Sequence, residues 1–116
     1  MKKIYYLKTC DTCKRILKSI PLNGFLLQDI KSDAITVQQL EEIYSLSGSY
    51  EKLFSKRAKK YKAMDLKNQT ITEEDMKQLI LQEYTFLKRP VIINNGDIYI
   101  GNSKENIENL KNDLNK

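Results

Sequence analysis

The sequence predicts an α/β fold, a four-stranded mixed sheet assembled as β-α-β, a helical insertion, and then β-β-α. Three observations predict it. A short apolar run at Ile4–Leu7 gives way abruptly to helical spacing. Near the other end, two apolar runs, Val91–Ile93 and Ile98–Ile100, flank Asn94-Asn95-Gly96-Asp97, and an Asn-Gly pair between such runs is the strongest short-range hairpin signal. Between the two halves lie helical spacings with their own start signals and little Gly or Pro.

Taken in order, Ile4-Tyr5-Tyr6-Leu7 reads as a short buried strand, within about 3–7. From Thr9 the period changes: Cys13, Ile16, Leu17 and Ile20 fall at i, i+3, i+4, i+7, one face of a helix that Pro21 ends. A second strand follows over about 24–29. Thr36 with Gln39 three residues on forms a capping-box signature ahead of Leu40, Ile43 and Tyr44, and Gly48 closes that helix. The spacing predicts a third helix over 50–64. Thr72 with Asp75 starts a fourth, carrying Met76, Leu79 and Ile80. The hairpin then supplies strands near 90–93 and 97–100, and Ser103 caps a last helix with Ile107, Leu110 and Leu114 on one side. A βαβ half implies parallel strands with a right-handed crossover, and the ββα half adds an antiparallel hairpin. With helices on both faces this is the thioredoxin plan, a single domain over 1–116 with a helical insertion at about 36–88.

Composition narrows the function. The 116 residues suit one domain. No apolar run approaches the roughly 20 residues of a membrane-spanning helix. The N-terminus reads as a strand and not as an export signal, so a cytoplasmic location is expected. Histidine is absent, which excludes Ser-His-Asp and Cys-His catalysis and the usual His-containing zinc sites. Two cysteines cannot close a four-thiolate cage, so no metal is expected. In a reducing compartment a close Cys pair cycles more often than it staples. Net charge is +5, from 20 basic and 15 acidic residues, compatible with anionic substrates.

Cys10-Asp11-Thr12-Cys13 lies at the first strand-to-helix junction. There Cys10 meets free backbone N–H groups and the positive end of the helix dipole, and both favour a thiolate. Lys14 and Arg15 add positive charge while Asp11 opposes it. Cys13, one turn further in, belongs to the apolar stripe; it is either the sulfur that resolves a mixed disulfide or a small core residue. Two arginines also stand out. One continuous helix over 50–64 would set Arg57 in the middle of a stripe formed by Tyr50, Leu53, Phe54, Tyr61 and Met64. Lys52, Lys56, Lys59, Lys60 and Lys62 would then face solvent, as a solvated face and not a nucleic-acid surface. A guanidinium on a buried stripe needs an anionic partner, a wet pocket, or room for its head group to reach water. The other is Arg89, ahead of Pro90 at the first position of a strand, where a missing N–H is tolerated. By analogy with thioredoxin folds, whose cis-proline faces the active cysteine, Arg89 would be delivered near Cys10, and its forked donors suit an oxyanion or a carboxylate.

Cys10-Asp11-Thr12-Cys13-Lys14, Leu53-Phe54-Ser55-Lys56-Arg57-Ala58-Lys59-Lys60-Tyr61 and Leu87-Lys88-Arg89-Pro90-Val91-Ile92-Ile93, in this order and spacing over nearly the whole chain, resemble the arsenate reductase (ArsC)-like family. That family includes the Spx regulators and the YffB-type reductases. The resemblance implies that Cys10 is the nucleophile, with Cys13 as second thiol. It implies that Arg57 and Arg89 bind the oxyanion, joined in the substrate site by Thr12, Lys14 and a cis Pro90. It further implies an arsenate reductase-like oxidoreductase with no bound cofactor, acting on a small oxyanion or a glutathione adduct. Electrons would come from an external thiol donor, glutathione with glutaredoxin or thioredoxin. Glutaredoxin-coupled arsenate reductases carry serine where Cys13 stands, arginine where Lys14 stands, and a third arginine on the final hairpin, which 97–101 lacks. The CxxC matches Spx proteins, which use it as a redox switch while binding RNA polymerase, although the longer Spx C-terminal extension has no counterpart here. That gives the alternative, a redox-switched regulator whose CxxC controls the polymerase-binding surface.

Overall fold

The structure, a computed structural model, describes residues 1–115 and falls into two compact units. The first joins Met1–Asp33 to Arg89–Lys116, within the described residues, and the second is Ala34–Lys88.

The first unit contains the sheet. Strands β1 (Lys2–Tyr6), β2 (Leu26–Asp29), β3 (Val91–Asn94) and β4 (Asp97–Ile100) lie in the order β2-β1-β3-β4. β1 and β2 are parallel, with Ile4 opposite Leu27; β1 and β3 are antiparallel, with Ile4 opposite Ile92; β3 and β4 are antiparallel. The hairpin between β3 and β4 turns on Asn95 and Gly96, both at positive φ (51° and 98°), as a type I′ turn requires. The second strand starts at Leu26, two residues later than the sequence suggests. Gly24 sits at φ 81° and the Phe25 N–H donates to Leu22 O, so those residues form the turn that enters the strand.

Helices α1 (Asp11–Lys18) and α5 (Lys104–Leu114) both cover the sheet face that carries Ile4 and Ile92. Leu17, Ile20, Phe25 and Leu110 complete that core, with Tyr6, Tyr99, Ile107 and Leu114 around it. Ser103 caps α5 by accepting from Asn106 N at 3.2 Å. Asp113 ties α5 to the hairpin: one carboxylate oxygen accepts from Asn94 Nδ2 (3.0 Å) and from the Tyr99 hydroxyl (2.8 Å). Tyr5, Val91 and Ile93, which alternate to the other face of the sheet, are buried as well.

The second unit is helical. α2 (Val37–Ser47) opens with a complete capping box between Thr36 and Gln39 and closes on Gly48 at φ 80°. α4 (Glu73–Gln82) opens with the matching box between Thr72 and Asp75. Glu73 also reaches back, accepting from the N–H groups of Tyr50 (2.8 Å) and Glu51 (2.9 Å).

The single helix expected over 50–64 does not form. Only α3 (Lys59–Ala63) is helical there. Leu53–Ser55 instead pairs with the chain 31 to 35 positions on: Phe54 and Leu87 form an antiparallel bridge, Ser55 N–H donates to Phe86 O (2.7 Å), and Lys88 N–H donates to Leu53 O (2.8 Å). Phe54 stacks on Phe86 at 5.1 Å. Backbone donors spent on this pairing cannot serve a helix through Ser55. The stripe that held Arg57 therefore does not exist: Leu53 and Phe54 are buried, Arg57 is exposed, and Met64 is 45% exposed.

Candidate active site

β1 stops at Tyr6, Leu7 is buried beneath it, and Lys8 and Thr9 carry the chain to the start of α1. Cys10 N–H donates to Leu7 O (3.2 Å), Lys14 N–H donates to Cys10 O (3.1 Å), and Lys8 N–H donates to Asp29 Oδ1 (3.3 Å). Cys10 is the N-cap of α1, at φ −94° and ψ 112°, and its Sγ accepts from Cys13 N–H at 3.5 Å. A cap acceptor is ordinarily a Ser, Thr, Asp or Asn oxygen; here it is a sulfur, and an ionised sulfur accepts better than a neutral one.

The two sulfurs are driven apart in acidity. Partial burial pushes the Cys10 thiol up, but the hydrogen bonds from Cys13, the positive charge of Arg89 and the hydrogen bond from the Thr12 backbone outweigh it, and Cys10 ends below the ordinary cysteine value. Cys13 is fully buried on the stripe with Ile16 and Leu17. Burial pushes it up to about 11, the hydrogen bond and charge of Cys10 push the same way, and a hydrogen bond with the Leu7 backbone and the charge of Arg89 pull only partly back. Both cysteines are free thiols.

Arg89 supplies the charge that reaches the sulfurs; Lys14 and Arg15, the neighbours in sequence, are exposed on α1. Arg89 is half-buried and precedes Pro90, which is buried, joined by a cis peptide, and accepts from Gly101 N–H (2.8 Å). Cys10, Thr12, Cys13, Lys14, Arg89 and Pro90 thus all belong to the first unit, whereas Arg57 belongs to the second, exposed in the turns ahead of α3. The sequence reading missed Leu7, whose backbone closes the loop and touches both cysteines. No side-chain pattern could have marked it, because its contribution is main-chain only.

An acidified, partly exposed sulfur above a buried, protonated one is an arrangement for nucleophilic attack followed by internal disulfide formation. No group of three His, Cys, Asp or Glu among the described residues could hold a metal ion. No helix among them is long and apolar enough to cross a membrane.

Known proteins share this plan. A protein from Bacteroides fragilis described as ArsC family related has a crystal structure 27% identical to this chain, superposing with a TM-score of 0.77 over 95% of this chain and 98% of that one. The Escherichia coli protein YfgD is 26% identical over 110 residues, 90% of this chain and 92% of its own length. Global transcriptional regulator Spx 1 of Bacillus cereus is 21% identical over 110 residues, 92% of this chain and 84% of its own. The ArsC family profile matches residues 5–110, from within β1 into α5 and across the cysteine loop, Arg57 and Arg89, and the chain belongs to the ArsC family.

Proposed function

We propose that this protein is a thiol-dependent reductase of the ArsC family, using Cys10 as nucleophile and Cys13 as resolving thiol. The observation that carries the reading is the Cys10 sulfur at the α1 N-cap, held as a hydrogen-bond acceptor by the residue that would resolve its adduct. On a small oxyanion such as arsenate, the Cys10 thiolate attacks arsenic, an oxygen leaves as water, and a Cys10–S–As bond forms. A second thiol, Cys13 or glutathione, then attacks the Cys10 sulfur. The disulfide forms as the Cys10–S–As bond breaks, the bonding pair passes to arsenic, and arsenite leaves. On a glutathione mixed disulfide, Cys10 attacks the glutathione sulfur and expels the substrate thiolate, and Cys13 expels glutathione. The resulting disulfide, Cys10–Cys13 or Cys10–glutathione, returns to free thiols by exchange with an external donor, glutathione with glutaredoxin or thioredoxin, in a reducing cytoplasm. Arg89 supplies forked cationic donors for the anion, with Lys14, the Thr12 backbone and Pro90 shaping its seat.

The decisive experiment follows arsenite release from arsenate, and thiol release from a glutathionylated peptide, with each donor system, for wild type and Cys10→Ser. Turnover of either substrate that vanishes in Cys10→Ser is expected. No turnover of either by wild type would remove the reductase reading. The likeness to Spx 1 favours one alternative, a regulator whose Cys10–Cys13 disulfide alters affinity for RNA polymerase. Polymerase capture that depends on oxidation, in a protein without turnover, would identify it.

A further inference from the structure

The chain has two basic stretches: residues 2–18, with Lys2, Lys3, Lys8, Lys14, Arg15 and Lys18 against Asp11, and the denser one that follows. Between residues 52 and 67 stand Lys52, Lys56, Arg57, Lys59, Lys60, Lys62 and Lys67 against one carboxylate, Asp65; the remaining 100 residues carry 13 basic and 14 acidic groups. All seven cations are exposed. Lys60 is engaged by Glu83 at 3.0 Å, and among the described residues none of the other six is ion-paired. Asp65 is occupied by Asn68, whose Nδ2 donates to it at 2.7 Å. The segment is not a loose tail: Ser55 N–H donates to Phe86 O, Lys88 N–H donates to Leu53 O, and Lys60 pairs with Glu83. Six unpaired like charges on a fixed backbone repel one another, and that repulsion is relieved when an anionic surface approaches.

We propose that segment 52–67 is a docking surface for an acidic polypeptide, a role that does not depend on the thiol chemistry. Nucleic acid fits less well on two grounds. Single strands bind by stacking bases on exposed rings, whereas Phe54 is buried against Phe86, and Tyr61 is half-buried with its ring edge-on to Phe54 at 6.1 Å. A duplex groove is read by a longer helix or a ribbon, and α3 has only five residues. The segment also exposes an apolar contact, Met64, of the adaptable kind used at polypeptide interfaces.

The test uses a fluorescein-labelled glutamate oligomer and fluorescence anisotropy at low salt and near physiological salt, where the screening length is about 8 Å. Lys56→Glu/Lys59→Glu/Lys62→Glu is compared with Lys18→Glu/Lys31→Glu/Lys104→Glu, an equal charge change at exposed sites elsewhere. A Lys→Gln version of the first triple guards against misfolding. The patch triples should lose about 10-fold or more in affinity, and the control less than about 3-fold. Equal losses in both charge-reversal triples would overturn the proposal, because net charge alone would then explain binding. Tighter binding to a DNA duplex than to the glutamate oligomer at matched charge would overturn it too, in favour of nucleic acid.

Discussion

The separation of the two thiols makes a quantitative prediction for alkylation. Cys13 is pushed from the ordinary 9.0 up to about 11, and Cys10 lies below 9.0. Near neutral pH each unit is a tenfold change in thiolate, so Cys10 holds at least about 100-fold more thiolate than Cys13. Access acts in the same direction, since Cys13 is 0% exposed and Cys10 is not buried. A brief exposure of the reduced protein to iodoacetamide near pH 7, quenched and resolved by tandem mass spectrometry, should therefore place nearly all early label on Cys10. The rate at Cys10 should rise with pH to a plateau reached below the range of an ordinary cysteine. In Arg89→Gln that plateau should move to higher pH, because the cation that stabilises the thiolate is gone. Comparable rates at the two sulfurs, or faster labelling of Cys13, would refute the assignment of nucleophile and resolving thiol. An unmoved profile in Arg89→Gln would refute the role given to that guanidinium.

Because the folded Cys13 thiol titrates near 11 and the unfolded one near 9.0, its stabilisation is complete below about pH 9 and lost as pH rises toward 11, about 2–3 kcal/mol in all. Urea midpoints should fall across that window in wild type, and distinctly less in Cys13→Ala; parallel slopes would contradict it. Glu73→Ala strips the acceptor from two backbone N–H groups and should cost about 1–3 kcal/mol in urea unfolding, whereas a change within about 0.5 kcal/mol would mean water replaces the carboxylate freely. Leu110→Ala, opposite Ile4 and Ile92 in the sheet-side core, should cost about 2–5 kcal/mol, and a loss under 1 kcal/mol would show that α5 does not seal that face.

What could be read from the chain was what neighbours in sequence decide. The hairpin at Asn95-Gly96, the boxes at Thr36 and Thr72, the Gly48 stop and the Ser103 cap are local contests between side chain and backbone, and each came out in the structure as the residues indicate. The cysteine junction was legible for the same reason. Residues 50–64 were not. Their apolar spacing suits a helix, but the partner that decides the matter, Phe86–Lys88, is more than 30 positions away, and nothing near Ser55 announces it. The error propagated to Arg57, whose expected burial rested wholly on that helix. Arg89, 79 positions from Cys10, was placed near it only by analogy with the cis-proline of thioredoxin folds, and its charge does act on Cys10.

The sulfur cap on α1 ties the catalytic state to the helix itself. Were Cys10 to bond to arsenic or to another sulfur, as proposed, its sulfur could no longer be an anionic acceptor for Cys13 N–H. On the proposed mechanism each covalent intermediate would start with a weakened first turn, the turn that would have to loosen before Cys13 could reach across. Fraying would then be produced by the adduct and repaired by its reduction. Amide exchange at Cys13, slow in the dithiol protein and fast in the trapped adduct, would follow the reaction cycle at a single backbone proton.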